Sequence, residues 1–223
     1  MWCIPPDQDA AFVARMEQVL QVYAKPHDPR RPVVCMDEQP KQLIRDVCKP
    51  IRTSTGQRRV DHEYIRQGMC HVWMFTEPLG GWRDVQVTDR RTAIDWAHQV
   101  KALVDAPRYA DADRIILVCD NLNTHKLASL YKAFEPAEAL RIANRIEMVH
   151  TPKHGSWLNI AECELSVLSR QCLNRRITDT QTIRDESRSW SKRRNAHQTG
   201  VDWQFTTDDA RTKLKRLYPK IVE

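Results

Sequence analysis

The stretch Arg114-Ile-Ile-Leu-Val-Cys-Asp-Asn-Leu-Asn-Thr-His-Lys126 runs five apolar residues straight into an acid. Ile115–Cys119 has the length and composition of a strand buried on both faces. The ordinary role for Asp120 is to open a turn or cap the next helix. A second run, Pro32-Val-Val-Cys-Met-Asp37, ends on an acid in the same way. Two parallel strands ending so would present carboxylates at neighbouring C-terminal edges, where ligand sites of α/β sheets gather. Carboxylates that close repel and raise each other's pKa unless a divalent cation neutralises them. Hard oxygen ligands select Mg²⁺ or Mn²⁺.

Working outward, residues 9–25 place Phe12, Met16, Val19, Leu20 and Tyr23 on one helical face. Proline punctuation over 25–32 separates that helix from the first strand. Thr53-Ser-Thr-Gly-Gln-Arg-Arg59 predicts a hairpin turn or exposed loop. Two β-like runs follow, 70–77 and 82–89, joined by Pro78-Leu-Gly-Gly81. Helical spacing returns over 92–106 and from about His125 to Phe134, with a strand over 145–152 and a helix over 160–173. The order mixes an antiparallel meander with α/β crossovers. It predicts an α/β, RNase H-like fold: a mixed five-stranded sheet flanked by helices.

The 223 residues suffice for one substantial core. No apolar run approaches the roughly 18–20 residues of a membrane span, and the opening residues lack the layout of a signal peptide. A cytoplasmic protein with no membrane partner is expected. Seven cysteines (Cys3, Cys35, Cys48, Cys70, Cys119, Cys163, Cys172), with no CxxC pair, read as reduced core residues. The net charge of +6 is entirely C-terminal: residues 165–223 hold 13 basic and 7 acidic side chains, against 22 and 22 before them. Such a surplus suits an anionic partner, nucleic acid before membrane, or a solvated basic helix.

A third acid follows the strand over 145–152, in His150-Thr-Pro-Lys-His-Gly-Ser-Trp-Leu-Asn-Ile-Ala-Glu-Cys-Glu164. Residues two apart lie roughly 200° around a helix, so Glu162 and Glu164 cannot both line one metal site. Glu162 is the choice. Asn159 to Glu162 also has the spacing of a capping box, with Asn159 as N-cap.

At these residues the chain closely resembles the bacterial insertion-sequence 630 transposases, relatives of mariner elements with a DDE-type catalytic domain. Three matches carry the resemblance: Val33-Val-Cys-Met-Asp-Glu38, Leu117-Val-Cys-Asp-Asn-Leu-Asn-Thr-His125, and His150 to Ser166 with its Ser-Trp-Leu-Asn run and N-x-x-E acid. It extends from Trp2-Cys-Ile-Pro-Pro6 to the basic C-terminal region. Relatives often have Pro where this chain has Ile160, and the separation of Asp120 from Glu162 is longer than in eukaryotic mariner relatives. Family members precede the catalytic domain with helix-turn-helix modules, whereas here Met1 falls just before it, so weak sequence preference is expected.

The resemblance implies Asp37, Asp120 and Glu162 as catalytic residues and ligands of two Mg²⁺ ions, with Mn²⁺ as substitute. It implies cleavage and strand transfer at transposon ends with TA as target dinucleotide, DNA and a second copy of the chain as partners, and a location at the bacterial nucleoid when DNA is bound. The expected layout is a helical lead-in (1–28), an RNase H-like DDE catalytic domain (29–178) and a basic helical extension packed on it (179–223). Asn121 and His125 are candidates to orient a ligand or phosphate, or to open a helix. Lys153 and His154 are candidates for phosphate contact, and Asn159 for support of the site. Trp157 is either a base-stacking platform or a packing residue, while Trp190 and Trp203 read as core. Arg188, Lys192, Arg193 and Arg194 fit a DNA-backbone surface or a solvated face. The competing readings are a truncated or domesticated DNA-binding or dimerising module, and another RNase H-like nuclease.

Overall fold

The computed structural model describes residues 8–48, 51–59, 61–198 and 200–220. The Trp2–Pro6 segment and Cys3 lie outside the described residues. The described residues contain seven strands and seven α-helices, and five of the strands form the main sheet, in the order β5-β4-β1-β6-β7. The central strand β1 (Val33–Asp46) pairs antiparallel with β4 (Tyr64–Glu77) and parallel with β6 (Ile115–Cys119). Strand β5 (Trp82–Thr88) extends the meander on one side, and β7 (Ile146–His150) adds a parallel strand on the other. This is the mixed, five-stranded, helix-flanked sheet expected from the element order.

Alternation along β1 sorts the interior into two cores. Cys35 packs on the face covered by α1 (Ala10–Tyr23), α5 (Ile160–Leu168) and α6 (Thr180–Ala196). Val34 and Met36 pack on the other, under α2 (Ala93–Val104), α3 (Leu130–Ala133) and α4 (Pro136–Asn144). The periodic face read in α1 is buried as expected, and Asp9 caps that helix by accepting from Phe12 N at 2.9 Å. Trp190 of α6 and Ala210 of α7 (Thr207–Lys213) join the same core as α1, so one apolar interior runs from the first helix to the last.

Three expectations are corrected. The first strand does not stop at Asp37 but continues to Asp46, paired with β4 on both sides of an irregularity between Gln42 and Ile44, so that both strands extend as a long antiparallel arm. At its far end lies the small hairpin of β2 (Ile51–Arg52) and β3 (Arg58–Arg59), whose turn contains Gly56 at φ +81°. The helix expected from His125 begins later, as a 3-10 turn at Leu127–Ser129 leading into the short α3. Helix α4 was not expected: it buries only Ala139 and Ile142, too few positions to register as a periodic face. Among the described cysteines Cys35, Cys70 and Cys119 are buried, whereas Cys48 and Cys163 are exposed, so the core reading fails for those two. No helix among the described residues is long and apolar enough to cross a membrane.

Candidate active site

The parallel ladder between β1 and β6 ends at the pair Cys35–Val118. Asp37 and Asp120 each lie two residues beyond that pair, so strand parity sends both to the face that Cys35 and Val118 share. This face carries α5. The cleft opens because β6 stops at Cys119 while β1 continues with β4.

Helix α5 is tied to the sheet beside the first acid. The Asn159 side chain donates from Nδ2 to the carbonyl oxygen of Met36 at 2.9 Å and accepts from Ala161 N at 3.1 Å. The residue that caps the helix therefore grips the backbone just ahead of Asp37. Its oxygen serves Ala161, not the third helical residue, so the reciprocal box suggested by the spacing is not what Glu162 forms. Tyr23 of α1 reinforces the approach by donating to Leu158 O at 2.8 Å. Just past the end of α5, Ser169 Oγ accepts from the Gln39 side chain at 2.7 Å.

The resulting cleft, about 470 Å³, is lined by Asp37, Glu38, Asp120 and Glu162 with Gln39, Thr151, Ser156, Asn159, Leu165, Ser166 and Ser169. Four acids and no Lys or Arg line it. The Asp37 carboxyl is pushed up to about 7, chiefly by burial and further by Glu38, Asp120 and Glu162, although the Glu38 amide donates to it at 2.8 Å. Burial likewise raises Glu38. Such an acid excess favours a bound cation, and the all-oxygen donor set suits Mg²⁺ or Mn²⁺. The acids share a cleft without forming a finished coordination shell: among the described residues no three His, Cys, Asp or Glu side chains are close enough together to hold a metal ion.

Other candidates divide sharply. His125 is buried, its Nδ1 bonded to Asp120 Oδ1. Asn121, Lys153 and His154 are exposed and do not line the cleft, with His154 at φ +64°. Trp157 is buried and stacks on Trp203 at 6.5 Å, so its ring is a packing residue and not a platform for a base. Trp190 and Trp203 pack in or against the core, as read from sequence. Arg188, Lys192 and Arg193 are exposed on α6. Arg194 is not part of that surface, because it donates to Glu164 at 2.9 Å and lies over the Trp190 ring. Glu38 was missed, although its only sequence signal, an acid adjoining Asp37, was in plain view.

The sequence profile of the DDE superfamily endonuclease family matches residues 32–184, well over half of the chain. The chain belongs to the DDE superfamily endonucleases. No curated protein matches it. Among solved structures, a pre-cleavage Mos1 transpososome aligns with 99% of the chain and 67% of its own, at TM-score 0.60 and 13% identity. A Mos1 mariner paired-end complex with Mn aligns with 85% of the chain at TM-score 0.55 and 15% identity, and one with Mg with 97% at 0.51 and 15%. At such identities the likeness is one of fold, and it places this DDE family member in the RNase H-like class. The chain spans 57% of the Mos1 chain in the Mn complex.

Proposed function

We propose that this DDE domain is the catalytic part of an insertion-sequence 630 type bacterial transposase, cleaving DNA at transposon ends and joining the freed 3′ end to target DNA at TA. The observation that carries the reading is the cleft in which Asp37, Asp120 and Glu162, from β1, the end of β6 and the start of α5, face one space without a basic side chain. Asp37, Asp120 and Glu162 would hold two divalent ions, Mg²⁺ or Mn²⁺. When bound, such ions activate the attacking water or 3′-hydroxyl and stabilise the leaving oxygen.

The chain's own part is placement. Asn159 sets the distance between α5 and β1, and with it the position of Glu162 relative to Asp37. Ser156, Ser166 and Ser169 line the same cleft and offer hydroxyls to phosphate oxygens. Exposed Arg188, Lys192 and Arg193 supply charge for the DNA backbone, which adds affinity without sequence information. Residues 29–178 would carry the chemistry, flanked by the lead-in 1–28 and the basic extension 179–223, the protein acting in the cytoplasm on DNA as a homodimer.

The test is nicking of supercoiled DNA with Mg²⁺ or Mn²⁺. Wild-type protein should nick, and Asp37→Asn, Asp120→Asn and Glu162→Gln should each abolish it; unchanged nicking in all three would remove the site assignment. A second reading, a domesticated DNA-binding or dimerising module, has one observation in its favour, the absence of a ready three-ligand cluster among the described residues. DNA binding with no metal-dependent nicking is its signature.

A further inference from the structure

Glu38 follows Asp37 directly, so alternation turns its side chain from the Cys35 face toward the opposite face of β1, where Trp73 is its cross-strand partner. There the carboxylate is only 3% exposed. Its Oε2 lies 3.3 Å from Nε2 of His125, and its Oε1 3.5 Å from Nη1 of Arg91. The imidazole is itself buried, stacked on Trp96 at 5.9 Å and tilted against Trp73 at 6.4 Å. Its other nitrogen, Nδ1, donates to Asp120 Oδ1. The three side chains form a chain that passes round the end of β6 into the cleft.

Asp120 has need of such a hold. It sits just past the last residue of β6, and its side chain is 37% exposed. A half-exposed carboxylate outside the ladder otherwise samples several rotamers, and ordering it costs entropy when a cation binds. Two tryptophans flank the His125 ring, and Glu38 stands 3.3 Å from its far nitrogen, at ion-pair distance without hydrogen-bond geometry, so the near nitrogen is turned toward Asp120.

We infer that Glu38 and His125 are positioning residues for Asp120: Glu38 holds the imidazole, the imidazole holds the Asp120 carboxylate, and neither touches a metal ion. The inference rests on the reading of Asp120 as a cation ligand. It denies Glu38 the role of a fourth ligand, which its place in the cleft lining would otherwise suggest.

The experiment is Mn²⁺ titration of the full chain without DNA, followed by electron paramagnetic resonance, with near-ultraviolet circular dichroism to verify folding. The variants are Asp120→Asn, His125→Phe, Glu38→Leu and the double His125→Phe/Glu38→Leu. His125→Phe keeps a ring between the tryptophans and removes both nitrogens. The double variant replaces a buried charged chain by apolar groups, a change that folded proteins commonly tolerate even when either single change strands a charge.

Expected is a loss of about 10–100-fold in Mn²⁺ affinity for His125→Phe, a loss in the same direction for Glu38→Leu, and a double variant no weaker than His125→Phe alone, because one residue acts through the other. Wild-type affinity in the double variant overturns the inference. So does a double loss equal to the product of the single losses, which would make Glu38 a ligand in its own right. If Asp120→Asn binds Mn²⁺ like the wild type, the ligand reading of Asp120 fails and the inference falls with it.

Discussion

Glu162 and Glu164, two residues apart on α5, serve opposite sides of the helix: Glu162 lines the acidic cleft, whereas Glu164 is buried between Arg83 and Arg194. The Glu164 Oε2 lies 3.2 Å from Arg83 Nε, and Oε1 accepts from Arg194 Nη2 at 2.9 Å. The first faces the cleft proposed to hold the cations, and the second joins α5 to β5 and α6.

Exchanging the two acids should therefore separate activity from stability. Glu164→Gln leaves Arg83 buried beside a neutral partner and should cost about 3 kcal/mol or more, a fall in Tm of roughly 6–12 °C for a chain of this size. Its nicking activity per folded molecule should persist. Glu162→Gln should melt like the wild type and fail to nick, and thermal melts beside nicking assays distinguish the two.

Asn159→Ala removes a helix cap and a tether to the Met36 carbonyl at once. Loss of the cap costs about 1 kcal/mol, and the buried carbonyl left without its donor adds about 1–3 kcal/mol. Nicking should fall by more than the lost folded fraction explains, because α5 no longer holds Glu162 at a fixed distance from Asp37. Activity tracking the folded fraction alone would count against that role.

Metal-free stability should fall as pH rises from about 4 to about 7. Asp37 is raised from 3.8 to about 7 in the fold, so the native state keeps a proton that the unfolded chain gives up earlier. The stabilisation is fully present below the unfolded value and lost as pH climbs through the folded one. Melts in EDTA across this range should show the slope in the wild type and a flatter profile in Asp37→Asn. Added Mg²⁺ should restore stability at the high end of the range, where the carboxylate is ionised.

Much of the site was legible in the sequence because it depends on short-range rules. An acid directly after a buried strand, twice over, predicts two carboxylates at one sheet edge, and helix geometry separates Glu162 from Glu164. The extension of β1 was not legible, because Gln39–Asp46 alternates poorly and its pairing stretch in β4 is largely exposed. The phase of α6 decides that Arg193 faces solvent while Arg194 meets Glu164, and that phase is set by Ile183 and Trp190 packing into the core. Glu38 gains its partner only through the turn that brings His125 back under β1, a tertiary event with no local signature.

That difference within α6 gives a prediction about DNA. Neutralising Arg188, Lys192 and Arg193 together should flatten the dependence of log K on log salt by up to about 0.9 for each phosphate that these side chains no longer neutralise. Arg194→Gln should leave that slope unchanged and lower Tm. Fluorescence anisotropy over a salt series measures the first and a thermal melt the second.

Whether the three acids meet around divalent ions is decided by anomalous diffraction at the manganese edge from crystals of the chain bound to DNA and Mn²⁺. Manganese peaks are expected within coordination distance of Asp37, Asp120 and Glu162 together, the cleft having tightened around the ions. Manganese bound elsewhere, or Glu162 remaining out of reach with DNA in place, would contradict it.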